Sequence, residues 1–445
     1  MRPPAGRAAR IRAAVAVALL ALLGLGAADV GPSALRPAPV PAPVARGDLG
    51  QIAARALAVD PALRPGSALR RRFASLEHRL AASVRGPLAQ EVLLRREDRL
   101  LAYLGDPATG LTALPTPDLL PLGFYWAAGG LVVYRVAGTP AQVRTGDRVL
   151  SVGGRTPRRL AGDLEDVVGG GPAWRRAEAQ RLLPLGSVLR GLGAERAGAV
   201  RLVLRRPAGG TYALTLPLAP MDLQAERAYL DGLAAFANRF EAPPGLPEPG
   251  GAAPFAWQVS RAYGVFWLTA CSGGPALRRA VDRFFAAVAA QGTTRIVLDL
   301  EGNAAGSAAA AARPLLDRLA LRPGRRGAGS GGQGRFAGQV YVLTSGSTAG
   351  PGLELAEQLT GAAYGVPVGV PSGARPNLYG PSRTYLTPDG LAAYSISTRP
   401  APAQGGARVA VRPVLDLPLT AADVARGVDP VARWLGGFAP PPAHT

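Results

Sequence analysis

From about Phe255 to Phe438, segments with strand character alternate with segments of helical periodicity. The run Tyr263–Ala270 (YGVFWLTA) is followed by ALRRAVDRFFAAVAAQG, then TRIVLDL, an alanine-rich stretch, GQVYVLTS, GLELAEQLTG and YGVPVGV. Repeated strand, helix, strand units predict an α/β domain of parallel strands joined by crossover helices. In such a sheet the loops at the carboxyl ends of the strands are where a site is expected.

The preceding chain has a different grammar. In 48–112, apolar residues recur every three or four positions in RRFASLEHRLAASV and AQEVLLRREDRLLAYL, which predicts a small helical domain of amphipathic helices. Segment 119–218 reads as β-rich, with a strand in LVVYRVAG and a hairpin in RLVLRRPAGGTYALTLPL that turns at Ala208, Gly209 and Gly210. Within it, Gly146-Asp147-Arg148-Val149-Leu150-Ser151-Val152-Gly153-Gly154 resembles the strand and glycine turn of PDZ domains. A charged helical connector and a Pro/Gly linker (219–254) lead into the α/β domain.

At the amino end, Arg2, Arg7, Arg10 and Arg12 precede an apolar run from Ala13 to Leu25 and the small residues Gly26, Ala27 and Ala28. This is the pattern of a secretory signal peptide over 1–28, and the run is shorter than the roughly 20 apolar residues that span a bilayer. The aperiodic Pro/Ala segment 29–47 then predicts a linker. The expected location is the periplasm, cell envelope or medium.

The single cysteine, Cys271, excludes an intramolecular disulfide and ends an apolar stretch, which suits a small buried hydrophobe. Formal charge is +20, and loss of the acid-free leader with its four arginines leaves +16. The basic residues are all arginine and are scattered, without aromatic-basic interleaving or zinc spacing, so no nucleic-acid partner is expected. Weak association with an anionic envelope remains consistent with the charge. No Walker loop, dinucleotide fingerprint or metal-ligand spacing appears, and no cofactor or metal is expected.

Taken in order, the helical segment, the PDZ-like insert and the strings TRIVLDLEGNAAGS, GQVYVLTSGSTAGPGLELAEQL and VPVGVPSGARPNLYG resemble the tail-specific (C-terminal processing) serine peptidases. The nearest likeness is to bacterial members similar to the photoreceptor retinoid-binding protein. The resemblance extends to the closing VRPVLDLPLTAADVARGVDPVARWL. It implies a crotonase-like, tail-specific protease core of βα repeats with a helical N-terminal domain and an inserted PDZ-like module.

It also implies where the chemistry should be, and the residues found there cannot supply it. A serine peptidase needs a hydroxyl nucleophile, a base and backbone donors for an oxyanion. Gly350 stands in the place of the nucleophile. Arg375 stands where processing members keep a basic lysine, and a guanidinium does not accept a proton. In the retinoid-binding-like branch arginine is ordinary there, as Arg375-Pro376-Asn377 illustrates. Ala108 occupies the place of the histidine that other members use, and the chain's other histidines, His78 and His444, lie in a helical segment and in the C-terminal tail. Glu301 replaces an arginine in the glycine-rich loop that shapes the oxyanion region.

The expected function is therefore a non-catalytic scaffold that binds an extended peptide, an unfolded protein segment or a small apolar ligand. Asn303, Gly306, Ser372 and Asn377 on the strand-end loops are its candidate contacts. Two alternatives are an active peptidase with a relocated nucleophile, Ser347 first with Ser345 and Ser372 behind it, and a basic envelope-adhesion protein.

Overall fold

The computed structural model describes residues 38–113, 118–136, 142–220, 254–320, 335–361, 364–373, 382–390, 392–399 and 410–437. The leader, residues 29–37 of the Pro/Ala segment and residues 221–253 of the connector therefore lie outside the described residues, as do Arg375, Asn377 and His444. Among the described residues no helix is long and apolar enough to cross a membrane.

Three helices open the described chain: α1 (Ala42–Val59), α2 (Ala68–Ala82) and α3 (Gln90–Ala102). Helix α1 starts at Ala42, inside the segment expected to be a linker. Prolines at the start do not prevent this, because the first turn has no use for the N–H that Pro43 lacks. Its buried stripe of Ala45, Leu49, Ile52, Ala53 and Ala56 packs with Phe73 of α2 and with Leu93, Leu100 and Leu101 of α3. A short strand, β1 (Gly110–Ala113), follows.

The β-rich part contains β2 (Asp118–Leu119), β3 (Leu122–Ala127), β4 (Gly130–Val136), β5 (Arg148–Val152), β6 (Glu195–Arg196), β7 (Ala199–Arg205), β8 (Thr211–Pro217) and β9 (Ala219–Pro220). The main sheet runs β3-β4-β5-β7-β6 with β8 on β7, so among the described residues β3 is an edge strand, and β2 pairs with β9. Between β5 and β6 the chain makes α4 (Pro157–Glu165), α5 (Pro172–Leu182) and α6 (Gly186–Gly191), which close the core over Phe124, Leu131, Val152, Leu202 and Leu204. The expected hairpin is present as β7–β8.

The α/β part comprises β10 (Phe255–Val259), β11 (Gly264–Leu268), α7 (Pro275–Gln291), β12 (Arg295–Asp299), α8 (Ala308–Leu316), β13 (Gln339–Thr344), α9 (Gly350–Gly361) and β14 (Val366–Gly369). Then come β15 (Ser382–Leu386), β16 (Ala393–Ser397), β17 (Leu415–Asp416), α10 (Ala421–Arg426) and α11 (Pro430–Gly436). The sheet order is β10-β11-β12-β13-β14-β17, parallel except for the β10–β11 hairpin. Both faces are covered, as a parallel sheet requires. Phe266, Leu298 and Val342 pack under α7, whose Leu277, Val281, Phe284 and Val288 recur at helical spacing. Their neighbours in sequence, Trp267, Val297 and Leu343, face Val431 and Leu435 of α11.

The chain does not keep 382–397 with this sheet. Strands β15 and β16 form a hairpin that pairs with β1 and puts Tyr394 and Ile396 into the core of the helical segment. All of these parts lie in one compact unit, Pro39–Thr445.

Candidate functional site

Two carboxyl-end loops of the parallel sheet and one helix of the β-rich part converge on a groove. After β13, Ser345 Oγ accepts from Gly302 N (3.3 Å) and from Ser347 N (3.2 Å). Ser345 N donates to Thr348 Oγ1 (2.9 Å), which in turn donates to Leu300 O (2.8 Å). These bonds tie the 345–348 turn to the loop after β12. The turn delivers the chain to Gly350, the first residue of α9, which is exposed and adopts φ 49°. A Cβ there would meet nothing nearer than Ala304 O at 3.5 Å. The place expected for a nucleophile is thus open to solvent and carries no side chain.

Helix α5 reaches over this turn from the β-rich part. It follows Gly169, Gly170 and Gly171, and the first two are held by close packing. A Cβ on Gly169 would sit 2.3 Å from Asp106 O, and one on Gly170 would sit 2.8 Å from the Trp174 ring and 3.3 Å from Pro107. Gly170 also has φ 105°, where a side chain is strained. Trp174 N donates to Gly373 O (2.9 Å), and its indole packs on Ala349 and Leu353. The turn that carries Ala108 and the loop that leads to Gly350 therefore both abut the 169–174 segment. In that turn Asp106 is buried, accepting from Ala108 N (3.0 Å) and Thr109 Oγ1 (2.8 Å).

The groove lies between β3 and α5, with a volume of about 260 Å³. Phe124, Tyr125 and Trp126 form one wall, Arg176, Ala177 and Gln180 the second, and Ser345–Ser347 with Val370 and Pro371 the floor. Trp126 N, on the open edge of β3, donates to Gln180 Oε1 (3.1 Å). The Arg176 guanidinium lies 4.8 Å over the Trp126 ring and pairs with Glu165, while Arg181 pairs with Glu178 (2.6 Å). Ser347 reaches the groove, but no histidine lines it and the chain contains no lysine.

The other candidate residues take structural positions. Asn303 is fully buried: its Nδ2 donates to Leu268 O (2.7 Å), and its Oδ1 accepts from the Cys271 thiol (3.5 Å). Gly306 has φ 100°, and a Cβ would lie 2.2 Å from Cys271 O. Ser372 is 1% exposed and its Oγ accepts from Val411 N (2.9 Å). These three hold the loops in place instead of lining the groove. Glu301 is 5% exposed and does not line it either. Cys271 is the small buried hydrophobe expected, and burial pushes its thiol up to about 11. His78 is an exposed residue of α2. Trp174, Arg176 and Gln180 were not singled out by the sequence, although the glycine triplet before Pro172 marks where the chain needs close passage and a new helix.

No protein-family model matches this sequence, and no curated protein matches it. Solved structures do. Mature CPAF aligns at 15% identity with a TM-score of 0.62, covering 89% of this chain and 96% of that one. A mutant form of CPAF aligns at 14% identity and a TM-score of 0.64, over 89% and 96% of the two chains. A photosystem II D1 C-terminal processing protease aligns at 16% identity over 87% of this chain and 98% of its own, with a TM-score of 0.39. The fold of this chain is accordingly the one seen in mature CPAF. Identities this low speak to the fold alone, and the chemistry rests on the residues described above.

Proposed function

We propose that this chain is an exported, catalytically silent protein on the tail-specific peptidase scaffold, and that it holds an extended peptide or unfolded protein segment in the β3–α5 groove. In this reading 119–218 is a PDZ-like module inserted between the helical domain and a crotonase-like core. The observation that carries it is the shared groove: the open edge of β3 and the Ser345–Ser347 turn face the same cavity. An edge strand offers unpaired N–H and C=O groups to an added strand, and the aromatic wall offers side-chain contacts. Gln180 already occupies one of those edge donors, and just past the strand Ala128 N donates to Leu419 O (2.8 Å), so an incoming strand displaces the Gln180 side chain and stops short of Ala128. Silence follows from Gly350 and Ala108, which leave neither a nucleophile nor a base at the family positions.

Ser347 favours a second reading, a relocated nucleophile, because it lies on the groove floor. With no histidine or lysine in that groove it has no evident base. The test pairs calorimetry against extended apolar peptides at moderate salt with hydrolysis of an unfolded casein-type substrate. Saturable binding without turnover is expected. Turnover abolished by Ser347→Ala would establish the relocated nucleophile, and binding that vanishes as salt rises would favour the basic-adhesion reading.

A further inference from the structure

Away from the groove, three carboxyl groups meet where the helical segment receives the β15–β16 hairpin. Asp48 comes from α1, Glu97 from α3 and Asp389 from the turn joining the hairpin strands. Glu97 is fully buried, and among the described residues neither of its carboxyl oxygens has a hydrogen-bond partner. Asp48 is 2% exposed, and its side chain is hydrogen-bonded to that of Asp389. Asp389 also accepts from Thr387 Oγ1 (2.7 Å).

The chemistry of these contacts restricts their protonation. An ionised carboxylate is an acceptor only, so two carboxyl groups hydrogen-bond each other only while at least one holds a proton. An ionised Glu97 would be a buried charge without a partner. The surrounding charges do not offset this. On α1 the Arg55 guanidinium lies 5.0 Å over the Tyr385 ring and is hydrogen-bonded to Tyr394, so it is engaged with the hairpin's tyrosines. On α3 Asp98 adds a further acid beside Glu97 and accepts from Leu111 N (2.9 Å).

We propose that Asp48, Glu97 and Asp389 form a proton-dependent latch, which holds the β15–β16 hairpin on the helical segment while Asp48 and Glu97 are protonated and loosens it as those two ionise. The pKa directions agree. Burial, reinforced by Asp389, Asp48 and Asp98, lifts Glu97 to about 8, and burial followed by Asp389 lifts Asp48 to about 6. In the unfolded chain both groups ionise near 4. The latch is therefore closed in acid, and its contribution is lost progressively as pH rises from ~4 through these folded values.

The test is amide hydrogen exchange of the full chain, corrected for intrinsic rates, at pH 5.5 and 8.5. Protection of Tyr394 and Ser395 in β16 should fall at least about tenfold between the two, since one unit of displaced pKa is a factor of ten. Amides of β7, which touch no such cluster, should change far less. Glu97→Gln should remove most of the pH dependence in β16 while leaving β7 unchanged. Asp48→Asn provides the same comparison if the first variant folds poorly. A pH slope in β16 that is equal in wild type and in both variants would overturn the latch.

Discussion

Trp174 of α5 donates its backbone N–H to the carbonyl of Gly373, at 2.9 Å, and so fastens the β-rich module to the loop after β14. Its indole rests on Ala349 and Leu353, either side of Gly350. One residue therefore both ties α5 to the loop after β14 and seats the turn where a nucleophile is expected. The ring is only half-buried, so Trp174→Ala should cost less than a core tryptophan, about 1–3 kcal/mol in urea unfolding. The backbone bond survives that change, so the variant should fold and should show no hydrolysis. A loss within a few tenths of a kcal/mol would mean that the ring does not brace the turn.

Restoring a hydroxyl should not restore chemistry. At Gly350 the backbone is left-handed, φ 49°, which costs a residue with a side chain roughly 1 kcal/mol. The added Cβ meets open space, with Ala304 O at 3.5 Å, so Gly350→Ser should fold with that modest penalty. With Ala108 unchanged there is still no base, and labelling by a serine-reactive phosphonate should stay at background. Adding Ala108→His should raise labelling, because the Ala108 turn and the Gly350 loop abut the same 169–174 segment. Rapid labelling of the single variant would reveal a base among residues assigned none here.

The alternation of strands and helices after Phe255 was legible because each element carries its own period: Leu277, Val281, Phe284 and Val288 mark a helix, and the apolar run at Val265–Leu268 marks a strand buried on both faces. The pairing of β1 with β16 was not. Gly110 meets Ser395 from the far side of strands β10 to β14 in sequence, and no local pattern encodes a partner so distant. The loops were found, but the orientation of their side chains was not. Asn303 and Ser372 belong to strand-end loops, yet they point inward because Leu268 O and Val411 N need partners there. The groove wall on α5 was missed for a related reason: Arg176 and Gln180 look like solvated helix residues until the sheet edge is placed beside them.

The end of β12 supplies a second pH-dependent contact, distinct from the latch. Asp299 is 4% exposed and accepts from Glu301 N (2.9 Å), while Asp429, 6% exposed, caps α11 by accepting from Val431 N (2.7 Å). Burial first, and the neighbouring Asp429 carboxyl as well, hold the Asp299 carboxyl well above the usual carboxylate range. The cap favours negative charge on Asp429 at a helix N-terminus, so the proton resides on Asp299. A carboxyl whose folded value is raised is neutral in both states in strong acid. It then destabilises the fold as pH climbs past the unfolded value near 4 and up to its own raised value. Asp299→Asn keeps the shape and the acceptor for Glu301 N but has no charge to develop. The variant should therefore match wild type within about 1 kcal/mol near pH 4 and become relatively more stable as pH rises towards 9. Chemical denaturation across that range checks the sign directly. A variant whose deficit instead grows with pH would place the negative charge on Asp299, with the proton on the cap.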